Sequence, residues 1–154
     1  MLFFIWPKVF TFSKIVLLGH YFMDIKEIAL LMKNIHQSIL LFIEREDNIE
    51  ENFDNLKKIF NEYKIFKNRY LLNSLCHLIT DIGNNNYRGT NFFEKLFRIL
   101  FLFTEQIKQS FSNSQIFNIF KSNKRLLLFL FEEKIIIMDK YIFTKITNDI
   151  YIKK

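Results

Sequence analysis

The side chains able to do chemistry are few, and their spacing limits them. Cys76 and His77 are adjacent, so on a helix they point about 100° apart. No second cysteine and no His-x-x-x-His pair completes a tetrahedral metal set. The expected pair is a buried thiol beside a half-buried imidazole, and His36 reads as a helix-boundary residue rather than a base. The acids Glu44, Glu46, Asp47, Glu50, Glu51 and Asp54 lack the central glycine and alternating oxygens of a calcium loop, and a helix N-terminus accounts for them. Gly19, Gly83 and Gly89 are the only glycines. They cannot build a G-x-G-x-x-G or G-x-x-x-x-G-K phosphate cradle, so Gly83 to Thr90, with Arg88, reads as an interhelical loop. There is no G-x-S-x-G, and no Ser or Cys has a readable base. No catalytic residue, cofactor or metal site is expected.

Two features remain. The run Lys121-Ser122-Asn123-Lys124-Arg125 joins two helices, so Lys121, Lys124 and Arg125 are the best anion contacts, with helix N-terminal amides to assist. Ile142, Phe143, Ile146 and Ile150 fall on one face of a last helix starting at Asp139. With no polar cap beyond it, part of this stripe is expected to pack back on the preceding hairpin, and the part left exposed to form an open interaction edge that favours self-association or capture of another helix.

The elements that must carry these residues read as helices. Asp24 and Glu27 have capping-box spacing ahead of Ile28, Leu31, Met32, Ile35, Ile39 and Phe42, a first helix ending near Glu44. Asp47 is the expected N-cap of a second, with the stripe Ile49, Phe53, Leu56, Ile59, Phe60 and Tyr63. A third runs from Arg69 to Ile82 and stops at Gly83. Asn91 with Glu94 opens a fourth that continues to Ile107; only Arg98 is polar between Leu96 and Phe103, so this helix is expected to be the central one. A short helix from Gln115 to Phe120 and one from Lys124 to Glu133, capped by Asn123, follow. No strand pattern competes. The predicted fold is all-α, with six or seven short antiparallel helices, as a stack of helical hairpins or an irregular bundle.

The chain of 154 residues suits one domain. Residues 23–146 are expected to form it, with 147–154 as a C-terminal tail and 1–22 as an apolar segment open to three readings: an extension of doubtful structural role, a packed N-terminal element or a degenerate membrane anchor. Lys8 and Lys14 interrupt the extension, so no run approaches the roughly 18 uncharged residues of a membrane span, and it lacks a signal-peptide pattern. Disorder is excluded by 50% hydrophobic residues including 20 Phe, and a disulfide scaffold by the single cysteine. The net charge of +6 is unevenly spread, with residues 24–63 net acidic and 64–154 net basic. A basic half can attract nucleic acid or anionic lipid. However, abundant Phe, Ile, Asn and Lys beside one Ala and one Pro also fit a nucleotide bias.

Three blocks carry a family resemblance: Glu44 to Phe60 (EREDNIEENFDNLKKIF), Asn84 to Leu100 (NNNYRGTNFFEKLFRIL) and, most specifically, Gln109 to Ile142 (QSFSNSQIFNIFKSNKRLLLFLFEEKIIIMDKYI). Together they resemble the helical N-terminal region of ankyrin-repeat proteins of trichomonad protists, a region otherwise of unknown function. The resemblance implies an ankyrin-like solenoid cap that serves protein binding, and it carries over no catalytic residue. The chain departs from the family in holding no full ankyrin repeat: it has no Thr-Pro-Leu-His turn and only one alanine, Ala29. It therefore looks like a truncated member. The expected function is a non-enzymatic, intracellular (cytoplasmic) protein-interaction module without cofactors, with 1–22 as the segment able to touch a membrane. The alternative is a basic helical module for nucleic acid or anionic membrane.

Overall fold

The computed structural model describes residues 15–18, 21–85 and 91–151, with backbone alone for those before residue 25. The expected extension up to residue 14, the loop residues Arg88 and Gly89, the Asp24 side chain and the last three residues lie outside this description. The chain divides into two compact units, residues 1–71 and 72–154.

The first unit opens with a feature the sequence reading missed. Strands β1 (Ile15–Leu18) and β2 (Tyr21–Asp24) pair antiparallel, with Ile15 opposite Asp24 and Leu18 opposite Tyr21. Both runs are rich in β-branched, aromatic or large apolar side chains, yet too short for an alternating pattern to show. Helix α1 (Ile25–Glu44) follows directly and buries Ile28, Leu31, Ile35, Ile39 and Phe42 of the expected stripe, with Met32 half-buried. It packs on α2 (Ile49–Glu62), where Phe53, Leu56 and Phe60 are buried and the rings of Phe42 and Phe53 lie 5.2 Å apart.

Asp47 does not cap α2. Its carboxylate accepts two hydrogen bonds from the Arg45 guanidinium, at 2.9 and 3.0 Å, and the N-cap position falls to Asn48 in the left-handed region without a side-chain cap bond. A bidentate arginine partner two residues away thus captures the carboxylate the helix would otherwise use. Beyond α2, a 3₁₀ turn (Ile65–Lys67) leads to Asn68, whose Oδ1 accepts from the Leu71 amide at 3.0 Å and starts α3 (Arg69–Asn84).

In the second unit α3 runs on through Gly83 instead of stopping there. This glycine serves close approach, for a Cβ on it would lie 2.7 Å from Asn123 Nδ2. The long fourth helix expected from the sequence is two: α4 (Phe92–Phe101) and α5 (Thr104–Ser110). Between them the Leu102 and Phe103 amides bond back three residues, to Ile99 and Leu100, a tightening typical of helix ends. An unbroken apolar run conceals such a turn because no polar residue marks it. Phe103 is fully buried while Phe101 is 58% exposed, so α4 is not covered all round. Asn91 makes no side-chain cap bond.

The remaining elements follow the sequence closely. Ser112 and Gln115 form a reciprocal capping box at the start of α6 (Asn113–Phe120). Asn123 accepts from the Leu126 amide at 3.1 Å to cap α7 (Lys124–Glu132). Asp139 accepts from the Ile142 amide at 2.8 Å ahead of α8 (Lys140–Tyr151), which carries helix into the segment expected as a tail. Leu126, Leu127, Leu128 and Leu130 are all buried, so α7 is covered on several sides and contacts both α6 and α8. It ends in a Schellman arrangement: Lys134, at φ 63°, bonds its amide to Phe131 O, and the Ile135 amide reaches Leu130 O at 2.8 Å. The fold is all-α in character, and the eight α-helices of the described residues exceed the expected number through the α4–α5 break.

Candidate functional site

The basic run sits on the α6–α7 turn, and three polar contacts fix that turn. Asn84, at the end of α3, donates to Ser122 Oγ at 2.9 Å and accepts from Asn123 Nδ2 at 3.0 Å, while Asn123 caps α7. The α7–α8 link is held as firmly. The Asn113 amide donates to Ile137 O at 3.2 Å and accepts from Ile137 N at 2.7 Å, which mimics a backbone bridge. This clamp leaves the Ile137 side chain 79% exposed.

Between these fixed turns, α6, α7 and α8 enclose an open groove of about 320 Å³. Phe117, Leu127, Ile142 and Ile146 supply its apolar lining, Tyr141 stands at its edge 75% exposed, and Lys121, Lys124, Lys145 and Asp149 complete it. The helical repeat explains the set: Phe117 and Lys121, Lys124 and Leu127, and Ile142, Ile146 and Asp149 are three or four residues apart on their own helices. Lys124 Nζ lies 3.9 Å from Asp149 Oδ2 with both side chains well exposed, so the pair is weak and the groove has a surplus of positive charge.

The groove unites residues that the sequence treated as two sites. Lys121 and Lys124 come from the anticipated anion contact, and Ile142 and Ile146 from the anticipated apolar edge. Arg125 turns elsewhere, its guanidinium 5.4 Å from the Phe93 ring centroid, a cation–π distance. Ile150 and Arg125 belong to an adjoining polar cleft of about 420 Å³ that includes Asn84, Asn85, Phe93 and Ser122 and shares Lys124 and Asp149 with the groove. Phe143 packs on Phe131, with ring centroids 5.2 Å apart. Within the stripe Ile146 is the residue that packs back, only 6% exposed, while Ile142, Phe143 and Ile150 are half-buried. The stripe packs largely back onto α7 because that helix needs cover on this side. Phe117, Leu127, Tyr141, Lys145 and Asp149 escaped the sequence reading. Tyr141, Lys145 and Asp149 do repeat every four residues beside the recognised stripe, which was the available signal.

The other candidates stay apart. Cys76 is fully buried and desolvation pushes its thiol well above the ordinary range, whereas His77 is exposed. Among the described residues no group of three or more His, Cys, Asp and Glu side chains is arranged to hold a metal ion. In the acidic segment, hydrogen bonding from Arg45 holds the Asp47 carboxyl below its usual range, and Asp54 pairs with Lys57 at 3.3 Å. No helix of the described residues is long and apolar enough to cross a membrane. Comparison of the chain with protein-family models, curated proteins and solved structures gave no match.

Proposed function

We propose that the chain is a non-enzymatic protein-interaction module, equivalent to the helical N-terminal part of an ankyrin-repeat-type protein, and that it binds through the α6–α8 groove. One observation carries this reading: an apolar lining, an exposed tyrosine and flanking lysines converge in one groove whose two bounding turns are pinned by side-chain hydrogen bonds. Pre-ordered helices bearing a half-open apolar surface suit a helix-in-groove mode of recognition, and rigid turns reduce the ordering cost of binding. The ankyrin-type assignment is supported by the block from Gln109 to Ile142, which spans α6, α7 and the start of α8.

A peptide-display selection on the immobilised chain tests the reading. Enriched peptides should compete with one another and lose affinity on Tyr141→Ser, an exposed change that leaves the fold intact. The second reading, nucleic acid or anionic membrane, draws on Lys121, Lys124 and Lys145 lying along one groove. It requires an affinity for oligonucleotides or phosphatidylserine vesicles that falls steeply with salt. That result, with no peptide enrichment, would overturn the interaction reading.

A further inference from the structure

Resting on the protein-interaction reading, we infer that the natural occupant of the α6–α8 groove is an acidic amphipathic helix, whose aliphatic side chains enter the groove and whose carboxylates meet the lysines beside it. Leu127 and Ile146 lie at the base, 2% and 6% exposed, and offer little area by themselves. Half-buried Phe117 and Ile142 and exposed Tyr141 form the accessible apolar surface. A partner must therefore bring apolar side chains at i, i+3, i+4 and i+7 to follow α8 from Tyr141 to Asp149.

The lysines set the sign of the flanks. Lys121, Lys124 and Lys145 contribute three positive charges to the groove against the single carboxylate of Asp149. Lys121 and Lys145 are exposed and have no ion pair within 4.0 Å among the described contacts, and Lys124 holds Asp149 only at 3.9 Å. Incoming glutamates can thus meet lysines at little desolvation cost, whereas a basic helix would stack like charges beside an apolar surface. Such complementarity chiefly sets specificity and association rate.

The probe is a fluorescein-labelled helical peptide of about 16 residues, long enough to hold a helix on docking. It carries leucines at i, i+3, i+4 and i+7 and glutamates elsewhere; a second peptide has lysine for every glutamate. Anisotropy of the intact chain should show the acidic peptide binding at least about tenfold tighter than the basic one. Lys121→Glu with Lys145→Glu should abolish or reverse that preference with circular dichroism unchanged. Equal binding of both peptides, lost on Tyr141→Ser, overturns the acidic partner while leaving the interaction module standing. Absence of binding by either peptide overturns the inferred occupant. If neither peptide binds while duplex DNA or phosphatidylserine vesicles bind through the same lysines with steep salt dependence, both the inference and the reading beneath it fail.

Discussion

Asn123 Nδ2 occupies the space that a Cβ on Gly83 would need: the two would be 2.7 Å apart. The amide cannot retreat freely, because its Nδ2 donates to Asn84 Oδ1 and its Oδ1 caps the Leu126 amide. The α6–α7 turn, and with it Lys121 and Lys124, is therefore seated on the end of α3. Gly83→Ala in a helix would ordinarily add about 1 kcal/mol of stability. Here overpacking should reverse the sign and cost about 1–3 kcal/mol, read as a lower urea midpoint. A stabilised variant would show that this close approach does not exist.

Ile146 and Tyr141 face opposite fates although both line the groove. Ile146 is 6% exposed and Tyr141 75%. Ile146→Ala should cost about 2–5 kcal/mol through the cavity it leaves, while Tyr141→Ser should stay within about 0.5 kcal/mol. Thermal melts of the two variants separate them. Equal, small effects would return Ile146 to the exposed edge that its helical spacing first suggested.

What the sequence disclosed depended on range. Asn123 and Asp139 each bond an amide three residues away, so their helix starts are written locally, as is that of Ser112, although the short helix was expected only from Gln115; the stripes of α1 and α2 follow from periodicity. Asp47 was misread because Arg45, also local, competes for the same carboxylate. Leu102 and Phe103 hid a helix break inside an apolar run. The rest is tertiary. Asn113 meets Ile137 across 24 positions and Asn84 meets Asn123 across 39, and neither pairing leaves a mark in spacing. The groove was half legible: Lys121 and Lys124, and Ile142 and Ile146, stood out separately, but only folding places Phe117 and Leu127 with them.

Cys76 predicts a pH dependence with a definite sign. Burial raises its thiol pKa in the folded chain, while an unfolded thiol titrates near about 8.5. Below that value both states hold the proton and there is no effect. Above it the unfolded chain releases the proton and the folded chain keeps it, so stability falls as pH rises, by at most about 1.4 kcal/mol per pH unit. Comparing urea midpoints at pH 8 and pH 9.5 with those of Cys76→Ala should show a steeper fall with the thiol present. The native thiol should also resist Ellman's reagent until the chain unfolds. Identical pH slopes would mean that Cys76 is solvated in the folded protein.

The central claim is that α6, α7 and α8 form one binding surface for a protein segment. The most direct test is a backbone amide NMR titration of the whole chain with the acidic amphipathic peptide, followed at each resolved residue. The predicted result is saturable shifts gathered at Phe117, Lys121, Leu127, Tyr141, Ile142 and Lys145, with little change at Glu51, Asp54 or Lys58 on the outer face of α2. Shifts spread evenly over the chain, or gathered around Asn85, Phe93 and Arg125 instead, would contradict it.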